Sequence, residues 1–358
     1  MLSSMPMVVY MCVFGTIYIM IALRLRKLPS KTRQDIVNEF LYAIMWFVGS
    51  IFYPFSYSAA IDPFVEEAFN WFSAFAMIGV FLVVVIIVGR EKVLVSRDVT
   101  LRESRNFKEF AEAFDQEYSL RKDVLRKAFH AFIPSFVLAA YLLGGSLVEV
   151  LSLDFVTGHD LGIFLIINCG FGGLFLFAAA DILRLSHFFE DKGLSIFHLL
   201  PSSVMNILTK RMHYKELYTF VPTVLILLSF IPFLPFPFAV FSAVTLIASI
   251  SDAMASIGGK AFDKARPGKC VFPSCKYKFF KEKNIIGYIA GTASTFFIVF
   301  FMFLAFQVSG FDLIRIIITS TFTALTFFMI DILSLPINDN LLNPLVCGIV
   351  MVLFIHLF

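Results

Sequence analysis

Residues 236–260 read FPFAVFSAVTLIASISDAMASIGGK, an apolar run rich in Phe, Val and Ala that closes on an aspartate, a cluster of small residues and a lysine. A helix rises about 1.5 Å per residue, so the apolar part, 236–257, is long enough to cross the roughly 30 Å of hydrocarbon in a bilayer. The stretch therefore predicts a membrane-spanning helix with its polar chemistry gathered at one end. Working outward, comparable blocks recur at 7–23, 40–55, 71–89, 129–148, 161–180, 217–233, 285–308, 314–330 and 341–358. Ten spans result. The composition agrees: of 358 residues 59% are hydrophobic, 46 are Phe and only 15% are charged, with a mean hydropathy of +0.86. A soluble globular protein is excluded, and so is disorder, which needs low hydrophobicity and high net charge. The five cysteines, Cys12, Cys169, Cys270, Cys275 and Cys347, are too few and scattered for a disulfide scaffold. The expected fold is an all-α polytopic integral membrane bundle of about ten transmembrane helices with cytoplasmic amphipathic helices.

Basic loops stay on the cytoplasmic side of a membrane. The segments 24–33, 90–127, 184–215 and 260–283 hold 5, 10, 5 and 8 Lys and Arg residues, 28 of the 29 in the chain, and only Arg315 falls near the other face. Both termini are then expected outside. The first block has no basic region before it and is followed by Arg24, Arg26 and Lys27, which reads as a stop-transfer flank and not as a cleavable signal. The segment 90–127 carries Phe107, Phe110, Phe114 and Tyr118 at helical spacing, predicting an amphipathic helix on the inner leaflet, and 194–208, broken at Pro201, predicts another. No linker or repeat divides the chain. The organisation expected is a three-span N-terminal part with the amphipathic segment, 1–120, continuous with a membrane domain at 121–358.

A carboxylate inside a span costs about 2.5–3.5 kcal/mol on insertion scales, so it has a partner or a task. Asp181, Asp252 and Asp331 stand where apolar runs meet the basic side, and Asp339 lies in Pro336-Ile337-Asn338-Asp339-Asn340. Hard oxygen ligands beside lysines suit a magnesium nucleotide. Each also has a plainer reading: an interfacial anchor, or for Asp181 an intrahelical pair with Arg184. Small residues around Asp252 (Ser249, Ser251, Ala253, Ala255, Ser256, Gly258, Gly259) admit a ligand or simply pack helices. The loop 260–283 carries eight cations against two acids and is either a lid over a polyphosphate or a lipid-facing basic loop. Gly258-Gly259-Lys260 lacks the Walker spacing, and Cys270 with Cys275 cannot close a zinc site. Arg126-Lys127-Ala128-Phe129-His130 opens the fourth span, as snorkelling cations or as part of a site.

In chain order the motifs are Arg126-Lys127-x-x-His130, Asp181-x-x-Arg184, Asp252-x-x-Ala255-Ser256-x-x-Gly259, Lys283-x-x-x-Gly287 with Ala290-Gly291, and Asp339-Asn340-Leu341 leading to Pro344. From about residue 121 to the C-terminus this resembles the polyprenol kinase family: dolichol kinases, phytol kinases and CTP-dependent diacylglycerol kinases. The resemblance implies transfer of the terminal phosphate of CTP to a membrane lipid alcohol such as dolichol, giving a polyprenyl phosphate, with Mg2+ as cofactor. It implies that Asp252 and Asp339 hold magnesium or position the hydroxyl, with Asp181 as a further metal ligand and Lys127 and His130 lining the site. Ser256, Gly259, Lys260, Lys281, Lys283, Gly287 and Asn340 would contact the nucleotide, with Arg126, Arg184, Glu216 and Asp331 nearby. Ile286 stands where many relatives carry an acid, and Glu216 matches only loosely. The implied partners are a lipid alcohol, a nucleoside triphosphate and membrane lipid, with no nucleic acid. The implied place is the cytoplasmic face of the plasma membrane or endoplasmic reticulum. A CDP-lipid-forming cytidylyltransferase would use the same ligands, whereas a transporter would set its acids near the midplane in repeated halves.

Overall fold

A computed structural model describes residues 2–28, 31–113, 120–212, 214–265, 271–272, 283–333 and 335–358. The protein is an all-α membrane bundle. Three helices open it: α1 (Met5–Leu25), α2 (Arg33–Phe52) and the 35-residue α3 (Pro63–Arg97). Short α4 (Val99–Ser104) and α5 (Phe107–Glu112) follow, then α6 (Leu120–Leu151), α7 (Gly158–Leu185), α8 (Ser202–Arg211) and α9 (Pro222–Phe230). The chain continues through α10 (Phe238–Leu246), a π-turn at Ile247–Ser251, α11 (Asp252–Ala265), α12 (Ile285–Ala305), α13 (Leu313–Ile332) and α14 (Asp339–Leu357). Between α11 and α12, Val271–Phe272 pairs antiparallel with Lys283–Asn284.

Helix starts follow local chemistry. Thr32 and Asp35 form a reciprocal capping box on α2, and Asp62, Thr157, Asp312 and Asn338 accept backbone N–H groups at the first turns of α3, α7, α13 and α14. Backbone groups in hydrocarbon must be satisfied within the helix, so these caps fall at the two ends of the bundle.

Among the described residues nine helices are long and apolar enough to cross a membrane. The expected sixth span differs: Pro222–Phe233 is a shorter apolar helix. The chain before it, Tyr214–Tyr218, is a 3-10 turn whose carbonyls at Glu216 and Leu217 are held by Arg184 of α7, and the helix starts only at Pro222. The single amphipathic helix expected over 90–127 is also corrected. Residues 90–97 prolong α3, the polar Asp98 and Asn106 then cap two short helices, and residues 120–127 belong to α6. Phe110, packed with Leu183, Phe197, Leu200, Met212 and Leu217, forms a small second core with Phe107 against it. Phe114 and Tyr118 lie outside the described residues. The second expected amphipathic segment appears as α8, starting after Pro201.

One main core runs through the bundle and includes Met7, Met11 and Trp46 from the first helices together with Phe175, Phe220 and Phe241. The bundle has two polar rims. At one, Ser58 N–H donates to Asp160 and Tyr53 O–H donates to Asn70. At the other, where the basic loops gather, Arg24 pairs with Asp191, Glu39 accepts from Phe220 N–H and Asn338 N–H donates to Asn38.

Candidate functional site at the basic rim

The π-turn sets the centre of this rim. An i→i+5 turn adds a residue to the helix and re-aims the side chains of the next turn. Here it joins α10 to α11, with Asp252 N–H returning to Ile247 C=O, and it delivers Asp252 as the first residue of α11. The hydroxyls of Ser249 and Ser251 are buried in the turn without a protein partner. Across from it Lys127 Nζ donates to Asp252 Oδ2. The lysine side chain is 7% exposed and the aspartate 20%, so the carboxylate keeps access to water.

Three residues on in α6, and so on the same helix face, His130 lines a chamber of about 160 Å3 shared with Phe177, Asp181, Arg184, Met212, Glu216 and Pro222. Asp181 and Arg184 are both about 1% exposed. Arg184 donates to Asp181 Oδ1 at 2.6 Å and to the carbonyls of Glu216, Leu217 and Thr219 at 2.9, 2.6 and 2.6 Å. The second aspartate oxygen accepts Val221 N–H at 2.8 Å. A guanidinium fork suits this planar multi-acceptor task. The pair thus ties α7 to the turn before α9, and both Asp181 oxygens are engaged by protein donors.

The chamber shares lining residues with two further spaces. Phe177 also lines an apolar groove of about 410 Å3 between α6, α7 and α9, walled by Phe132, Phe136, Phe171 and Phe230. Gly170 and Gly173 floor the groove, and a Cβ on either would meet nothing within 4 Å. Glu216 and Pro222 also line a rim cavity of about 950 Å3, together with Lys31, Gln34, Asn38, Glu39, Tyr218 and Asn340.

The other expected residues take varied places. Asp339 stands in the first turn of α14 at the same rim, next to Asn338 and Asn340. Asp331 ends α13 and is 3% exposed. Gly259 and Gly287 are used in packing: a Cβ on Gly287 would sit 2.7 Å from Ala255 C=O and 3.4 Å from Gly259 Cα. Ser256 lies in the same α11 stretch, and Lys260 is exposed beside it. Lys281 lies outside the described residues, as do the side chains of Lys283 and Arg126 and the pair Cys270 and Cys275.

Sequence reading passed over α2. Glu39 is 2% exposed, pairs with Lys31 at 2.9 Å and accepts Phe220 N–H at 3.4 Å. The signal available was an acid directly flanking an apolar block, Glu39 just before 40–55 as Asp181 and Asp331 stand just after theirs. Among the described residues no three His, Cys, Asp or Glu side chains gather as a metal cage. No family model matches the chain, and comparisons with curated proteins and with solved structures found no match.

Proposed function

We propose that this integral membrane protein is a lipid-alcohol kinase that transfers the terminal phosphoryl group of CTP to a membrane polyisoprenol. The observation that carries this reading is that an apolar groove, a polar chamber and a rim cavity share walls. Phe177 lines both the groove and the chamber, Glu216 lines both the chamber and the rim cavity, and His130 of the chamber lies one helical turn from Lys127, which pairs with Asp252. A lipid chain in the groove brings its hydroxyl to the chamber, while the nucleotide arrives from water.

A magnesium ion carried by a nucleotide takes one or two carboxylates and completes its shell with phosphates and water, so it needs no cage. Asp252, one-fifth exposed, fits that role with Asp339 on the same rim. Asp181 does not, because both of its oxygens are already bonded. When bound, the ion neutralises charge on the transferring phosphate. Lys127 holds a second positive charge beside it, and His130 stands within the chamber to take the hydroxyl proton. The lipid oxygen–phosphorus bond forms, the bond to the bridging β-oxygen breaks, and CDP leaves. Phosphoryl transfer asks mainly for positioning and charge neutralisation.

Purified protein given Mg2+, CTP and a polyisoprenol is expected to release CDP and a lipid monophosphate. Asp252→Asn is expected to lower kcat by at least about 100-fold with its melting temperature kept. Release of pyrophosphate would instead identify a cytidylyltransferase, and full activity of Asp252→Asn would remove Asp252 from the chemistry. A panel of CTP, ATP, UTP and GTP against dolichol, geranylgeraniol, phytol and diacylglycerol tests donor and acceptor choice.

A further inference from the structure

The rim cavity has walls unlike those of a polyphosphate site. Four carboxamides line it: Gln34 and Asn38 from α2, and Asn338 and Asn340 from the start of α14. Asn38 Oδ1 accepts Asn338 N–H at 2.8 Å and Asn338 Oδ1 accepts Asn340 N–H at 2.9 Å, which leaves their NH2 groups as oriented donors. Tyr42, Tyr218 and Thr219, which carry hydroxyls, also line it, while the Thr32 hydroxyl is held by Asp35. The charge balance is acidic, with Asp35, Glu39 and Glu216 against Lys31, and Lys31 is held at 2.9 Å by Glu39. Such walls repel phosphates. They match an uncharged ligand rich in hydroxyls and in ring edges that pair donor with acceptor: carboxamides read base edges, and carboxylates accept ribose hydroxyls.

We propose that this cavity binds the nucleoside end of the donor nucleotide, base and ribose, with α2 as one wall. The inference rests on the kinase reading and adds to it: the first helices become part of the donor site. Glu216 and Pro222 belong to both spaces, so a nucleotide seated by its nucleoside in the cavity runs its phosphates toward the chamber of His130, one helical turn from Lys127.

The test is equilibrium binding to the full-length purified protein with Mg2+, using cytidine, CTP and inorganic triphosphate as separate probes. Cytidine is expected to bind and to compete with CTP. Gln34→Trp, which fills the cavity from an exposed position, and Asn340→Leu are expected to weaken cytidine and CTP at least about tenfold and to leave triphosphate binding unchanged. The melting temperature of Gln34→Trp separates this effect from misfolding. No binding of cytidine, or cytidine binding unaltered in both variants, overturns the inference. Lipid phosphorylation with an unaltered KM for CTP in both variants overturns it while leaving the kinase reading standing. CTP binding that depends on Gln34 and Asn340, with no lipid phosphorylated by any donor, supports the cavity and refutes the kinase.

Discussion

Arg184 shows how a buried charge in a membrane helix is retained. Its guanidinium serves three backbone carbonyls and one carboxylate, all from a single side chain that is 1% exposed. Removing one partner of such a pair strands the other charge in a low-dielectric interior, which costs about 3–5 kcal/mol. Arg184→Ala is therefore expected to lower the melting temperature sharply, and Arg184→Lys to rescue little of it, because an ammonium cannot span four acceptors in a plane. Lys127 behaves differently, since its partner Asp252 keeps access to water. Lys127→Met is expected to leave the fold intact and to depress nucleotide turnover; an unchanged kcat in that variant would remove the lysine from the site.

Between α10 and α11 the π-turn places two serine hydroxyls in a buried position without protein partners. An unpaired buried donor costs about 1–3 kcal/mol, and this turn lies immediately before the acid at the centre of the proposed site. Deleting one residue within 247–251 is expected to convert the turn to regular α-helix and to shift Asp252 relative to Lys127. The expected outcome is a melting temperature equal to or above that of the parent with phosphoryl transfer lost; retained transfer would make the turn a packing detail. The α11–α12 contact is the opposite case. With a Cβ on Gly287 placed 2.7 Å from a backbone carbonyl, Gly287→Val is expected to destabilise by about 1–3 kcal/mol, read as a lower melting temperature. In the groove, by contrast, Gly173 has open space above it, so Gly173→Leu is expected to fold normally while raising KM for the lipid and sparing KM for CTP.

Across the bundle, α1–α3 are not an appendage. Met11, Trp46 and Tyr18 share one core with Phe175 and Phe220, and Glu39 of α2 caps the backbone just before α9. A chain lacking residues 1–62 is thus expected to fail to fold as a monodisperse particle on size exclusion, and recovery of an active remainder would show that the later helices stand alone. The lipid-facing surface and the core are both apolar, which is why the apolar blocks could mark where helices lie but could not tell which faces pack.

Length, apolar blocks and the one-sided distribution of Lys and Arg were sufficient for the all-α membrane class, because bilayer thickness sets helix length and hydrocarbon admits no unsatisfied backbone. The acids at the ends of the runs could also be picked out one by one, since each breaks an apolar pattern at a known energetic cost. Their roles could not. Asp181 and Asp252 look alike along the chain, yet one is closed off by Arg184 and Val221 N–H while the other stays open beside Lys127. Likewise Gly259 and Gly287 read as room for a ligand but are consumed by a helix contact, and the cavity wall built by α2 joins residues some 300 positions apart, Asn38 and Asn338. Those distinctions depend on which partner arrives from a distant segment, and folding alone brings those segments together.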